Sequence, residues 1–131
     1  MMGILKNTGT PLNIDGVERH LLFTLNAIDA IQERFDEPLE SVITKLTDKK
    51  ESGNALRAVL TILFNDEVER LSYKPSTQKT DLEPVDEKQM GWILNNQNML
   101  EATYAVLRAY GYDLPEPDEN DPNGESGQQK K

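Results

Sequence analysis

The chain has 131 residues, a net charge of −9, 37% hydrophobic residues, one histidine and no cysteine. That length fits one domain, and the lack of cysteine excludes disulfides, thiolate metal sites and a cysteine nucleophile. The acidic balance, with no basic cluster, argues against nucleic acid or an anionic membrane as a direct partner, because both demand positive charge facing phosphate. Basic protein surfaces remain compatible partners.

Residues 1–10 read as a flexible N-terminal arm. They lack the charged start and apolar core of a signal peptide, and no apolar run in the chain approaches the length of a membrane span. The expected location is therefore the cytoplasm. Next, Asp15-Gly16 separates Leu12-Asn13-Ile14 from the apolar-rich stretch 17–23. Asp-Gly between such runs predicts a β-hairpin, since its two-residue turn needs positive φ at both positions. A lone hairpin is marginal in water, so this one is expected to lie on helices.

A first helix is predicted over residues 26–35, with Ile28, Ile31 and Phe35 at helical spacing. Asp36-Glu37-Pro38 ends it, and Pro38 suits the first turn of the next helix, where its missing N–H costs little. Leu39, Val42, Ile43 and Leu46 mark that short second helix. After a polar connection, Asn54 is expected to cap a third helix over 55–71, whose apolar face (Leu56, Val59, Leu60, Leu63, Phe64, Val68, Leu71) is wide enough to be central. Residues 72–85, with two prolines and no helical period, form a predicted long loop.

The stretch 87–110, EKQMGWILNNQNMLEATYAVLRAY, is expected to organise the fold as one helix of roughly 36 Å. Asp86 would cap its start and Gly111 would take the positive-φ position beyond its end. Residues seven apart lie nearly above one another on a helix, so Trp92, Met99 and Val106 form one stripe and Ile93, Leu100 and Leu107 a second. The first stripe has two readings. As core, Trp92→Ala would cost roughly 3–5 kcal/mol. As surplus apolar surface it would bind another subunit or a partner helix, with Trp92, Met99, Val106 and Tyr110 at the contact. From Asp113 onward the chain holds six acids, two lysines and one apolar side chain, Leu114, and so carries −4 of the charge. Such a segment reads as a disordered acidic tail. The fold class is thus mainly α, about four helices with a small N-terminal β-hairpin packed on them. A single domain over 11–112 is followed by the tail at 113–131.

No catalytic, cofactor or metal site is legible. His20 falls on the predicted strand beside Arg19 and Glu18, an ordinary surface or edge position. Asp66, Glu67 and Glu69 near the end of the third helix read as a solvated face rather than a catalytic pair, which would need a cleft to perturb its pKa values. The tail stretch Glu119-x-Asp121-x-Asn123-Gly124 half resembles a calcium loop. It lacks the leading aspartate and has Lys130 where the bidentate glutamate belongs. The glycines form no phosphate-cradling loop.

The order of parts carries a resemblance. GVERHLLFTLNAIDAIQERF leads from a strand into a helix, followed by PLESVITKL, by RAVLTILFNDEVERL, by a late helix ending in LRAYG, and by a Pro/Asp/Glu-rich tail. Over residues 14–112 this resembles the tail assembly chaperones of long-tailed bacteriophages and prophages, whose recurrent pattern is similar to Ile28-x-x-Ile31-x-x-Arg34-Phe35 and Arg57-Ala58-Val59-Leu60-x-x-Leu63. The resemblance implies a non-enzymatic protein of the bacterial host cytoplasm. It would coat the apolar, helical tape-measure protein and recruit tail-tube subunits, and it would have no catalytic residue. It also implies a longer product made by frameshifting. The codons of Gln129-Lys130-Lys131 can supply the adenine run this needs, with the acidic tail as linker to a further domain. Structural or connector proteins of a phage particle and small acidic proteins that mimic DNA are the alternatives from other classes.

Overall fold

The computed structural model describes residues 9–73 and 81–114. The expectations for residues 1–8, for the centre of the long loop, for the calcium-like stretch and for the Gln129–Lys131 codon run lie outside the described residues. Within them the architecture is mainly helical: an N-terminal antiparallel hairpin, β1 (Thr10–Ile14) and β2 (Val17–Leu21), followed by α1 (Leu25–Phe35), α2 (Leu39–Lys45), α3 (Ser52–Tyr73), α4 (Glu87–Ile93) and α5 (Met99–Tyr110). No helix among the described residues is long and apolar enough to cross a membrane.

The hairpin forms where Asp15-Gly16 predicts it. Both residues take positive φ, 56° and 76°, and the register runs from Ile14↔Val17 to Thr10↔Leu21. Thr10, assigned by sequence to the arm, opens β1 instead. Side chains alternate across a strand, so Leu12 and Ile14 of β1 and Arg19 and Leu21 of β2 point into the protein. β2 stops at Leu21 because Thr24 is already the N-cap of α1, its Oγ1 accepting the Ala27 N–H at 3.1 Å.

α1 ends at Asp36, which takes φ 56° and returns its N–H to Gln32 O. The Gln32 Oε1 then accepts the Leu39 N–H at 2.9 Å and so closes the start of α2 behind Pro38. α3 starts three residues before the position expected from Asn54. Asp48 Oδ1 accepts the N–H groups of Lys50 and Glu51 at 2.7 and 3.0 Å and supports that earlier start, while Asn54 accepts from Arg57 Nη2 inside the helix. α3, not the late stretch, is the organising element. It packs against β2, α1, α2, α4 and α5, and Leu56, Val59, Leu60, Leu63 and Phe64 are all sealed in the core.

The late stretch is two helices, which raises the count from about four to five. Leu94 turns extended, with ψ 137°, and two asparagines take over the backbone groups that a continuous helix would have paired. Asn98 Oδ1 accepts the Asn95 N–H at 2.9 Å, Asn98 Nδ2 donates to Ile93 O at 2.9 Å, and Asn95 Oδ1 accepts the Gln97 N–H at 2.8 Å. Asparagine offers the backbone such local alternatives to a helix, and three of the four residues in Asn95-Asn96-Gln97-Asn98 are asparagine.

The position of α4 is set at its start. Asn65 on α3 exchanges two hydrogen bonds with the Val85 backbone, at 2.7 and 2.8 Å. Asp86 then forms the expected cap, a reciprocal box with Gln89, and Arg34 of α1 grips the Glu87 carboxylate with two bonds of 2.8 and 3.1 Å. α5 ends at Gly111, φ 129°, as its sequence position predicts. Leu114, placed by sequence in the tail, is half-buried against the core.

Candidate protein-binding surface

Breaking the late helix dissolves the predicted stripes, because residues seven apart share a face only along one unbroken axis. Val106 is fully buried, Met99 is half-buried, and Tyr110 is half-buried with its ring edge-on to Phe23 and Tyr112. Of the four residues Trp92, Met99, Val106 and Tyr110, only Trp92 stands in solvent, 73% exposed. The core reading of Trp92 is thereby corrected: on α4 it is Met90 that fills the core.

Two further apolar side chains of the late helices are exposed. Leu100 and Tyr104 on α5 are 66% and 43% exposed, and at i, i+4 they form one outward face. Sequence spacing had put Leu100 in the second apolar stripe and passed over Tyr104. The Lys88 ammonium sits 5.7 Å from the centre of the Trp92 ring, one turn back on α4. α4 and α5 thus each leave large apolar side chains in solvent above a closed core.

Of the three carboxylates near the end of α3, Glu69 is exposed as expected and the other two are not. Asp66 and Glu67 are buried, not part of a solvated face. Glu67 Oε1 accepts from Arg19 Nε at 2.9 Å, and its Oε2 accepts the His20 N–H at 3.2 Å. The Arg19 guanidinium also donates to Phe64 O at 3.0 Å and lies over the Phe64 ring at 3.9 Å. Asp66 accepts from Thr24 Oγ1 at 2.9 Å and lies 3.4 Å from Arg70 Nε, while Arg70 Nη2 reaches His20 O. His20, half-exposed between Glu18 and Glu67 at 3.1 and 3.4 Å, belongs to the rim of this network. The signal was present: Leu60, Leu63, Phe64 and Glu67 follow the i, i+3, i+4, i+7 rule, and Arg19 alternates with Leu21.

These groups are matched to one another, with each carboxylate engaged by a cation of the protein. The arrangement latches the hairpin to α3. A second acidic group, Glu37, Asp48 and Glu51, lines a cleft of about 310 Å³ beside α2. Its centre is taken by Lys45, whose ammonium lies 3.0 Å from Glu51 and 3.3 Å from Glu37 and is held above its ordinary pKa by those two hydrogen bonds. Among the described residues no group of three or more His, Asp or Glu is placed to hold a metal ion. Compared with known proteins, the chain matches no family model, no curated protein and no solved structure.

Proposed function

We propose that this chain is a non-enzymatic tail assembly chaperone of a long-tailed bacteriophage or prophage. In this reading it works in the bacterial host cytoplasm, binds the apolar helical tape-measure protein, keeps it in solution and recruits tail-tube subunits to it. The reading rests on the order of parts over residues 14–112, and one structural observation supports it. Trp92 and Leu100, two of the largest apolar side chains of the late helices, lie in solvent at 73% and 66% exposure. Exposed apolar side chains of this size are the material from which contact patches are built where they adjoin one another. The net charge of −9 keeps a protein with such surface soluble.

The test is co-production with the tape-measure protein encoded in the same phage or prophage genome. The expected result is that the tape-measure protein moves from the insoluble to the soluble fraction and co-purifies with this chain. A tape-measure protein equally insoluble with and without it would refute the reading.

A further inference from the structure

A two-stranded sheet has two edges, and along each the backbone groups not used between the strands point outward. The register of the hairpin shows which groups these are. With a two-residue turn, Ile14↔Val17 is a hydrogen-bonded pair, and bonded pairs alternate with non-bonded ones along an antiparallel ladder. Asn13↔Glu18 and Pro11↔His20 are therefore the non-bonded pairs. The N–H and C=O groups of Glu18 and His20 consequently face away from β1, along the outer edge of β2. Pro11 agrees with this assignment, because it falls at a ladder position that requires no N–H.

Both outward groups of His20 are nevertheless occupied, and by side chains of α3. Glu67 Oε2 accepts the His20 N–H at 3.2 Å, and Arg70 Nη2 donates to His20 O at 3.3 Å. One acceptor and one donor at the same residue are what a neighbouring strand would bring. Glu67 and Arg70 stand one turn apart on one face of α3, the helix on which β2 packs. Glu67 is buried and fixed from its other oxygen by Arg19. Glu18, the other outward residue, is exposed and places a charge on the edge. On the opposite edge Pro11 stands level with His20 and lacks the N–H that a further strand would bond.

We propose that Glu67 and Arg70 act as a surrogate third strand, closing the outer edge of β2 against strand pairing with a second copy of this chain. When these side chains let go, Glu18 and His20 each offer one donor and one acceptor. The edge is then self-complementary between two identical chains. The device belongs to the hairpin and α3 alone and is independent of the chaperone reading.

The test uses the full chain. In the unmodified chain the His20 amide should exchange its hydrogen about tenfold more slowly than the outward amide of Glu18, or slower still, and sedimentation should show a monomer at every concentration. Glu67→Ala should associate as concentration rises, at least about doubling the mean mass, with a gain of extended-strand signal in the infrared. Arg70→Leu, which leaves Glu67 and Arg19 paired, should move the same way to a smaller extent, and it decides the matter if Glu67→Ala does not fold. Glu18→Pro removes an N–H that the hairpin itself does not use, so added to either variant it should restore the monomer. Folded Glu67→Ala and Arg70→Leu variants that both remain monomeric would overturn the proposal. So would association that Glu18→Pro leaves unchanged, since the contact would then lie elsewhere, or an unmodified chain that already pairs through this edge.

Discussion

Removal of Glu67 is the sharpest probe of how the hairpin is held. Its side chain is 5% exposed and that of its partner Arg19 is 7% exposed, with 2.9 Å between Oε1 and Nε. Glu67→Ala leaves the guanidinium without its carboxylate while Phe64 O and the Phe64 ring still hold it in place. Breaking a buried pair from one side costs about 3–5 kcal/mol, because the remaining charge is uncompensated. The His20 N–H loses its acceptor as well, which adds about 1 kcal/mol. Against a typical domain stability of 5–15 kcal/mol the variant should be severely weakened. In urea, with a slope of 1–3 kcal/mol per molar, its midpoint should fall by at least about 1 M. Replacing both partners, Arg19→Met with Glu67→Leu, removes the charges together and should cost less than Glu67→Ala alone. The double-mutant cycle should give a coupling of about 2 kcal/mol or more. A loss below about 1 kcal/mol for Glu67→Ala, or simple additivity in the cycle, is the behaviour of a solvent-exposed pair and would refute the latch.

Three further outcomes follow from the same geometry. Trp92→Ala should change stability by no more than about 0.5 kcal/mol, whereas Met90→Ala, at a fully buried position two residues away, should cost about 2–5 kcal/mol; paired thermal melts compare them directly. Asp86→Ala removes the side-chain acceptor of the Gln89 N–H at the start of α4, while the Asp86 backbone N–H keeps Gln89 Oε1, and should cost about 1 kcal/mol by denaturant titration. The Arg34 guanidinium, chiefly through its hydrogen bonds, holds the Glu87 carboxyl below its ordinary value of 4.5. With the folded value below the unfolded one, the resulting stabilisation is present above 4.5 and fades as pH falls through the folded value. Both side chains are well exposed, so its size should stay within about 1 kcal/mol. Glu87→Gln should abolish that part of the acid dependence, and high salt should shrink it.

Where local chemistry is decisive, the sequence alone was enough. Asp15-Gly16 specifies its turn because only certain residues tolerate two successive positive φ values, and Asp86 and Gly111 mark helix ends because the orphaned backbone groups there need a particular neighbour. The apolar spacing of residues 55–71 revealed a central helix, since a wide apolar face has to be covered from several sides. Tertiary structure decided the rest. Heptad spacing states which side chains align if a helix continues, but not that it continues, and between Ile93 and Met99 the side chains of Asn95 and Asn98 hold a turn in its place. Once the axis breaks, Trp92 faces solvent and Val106 the core, although their spacing makes them equivalent. The burial of Glu67 likewise depends on Arg19, 48 positions away in the chain. A carboxylate on a core-facing helical position can be sealed only when the fold delivers a cation to it, and that delivery is a property of the packed hairpin rather than of either segment.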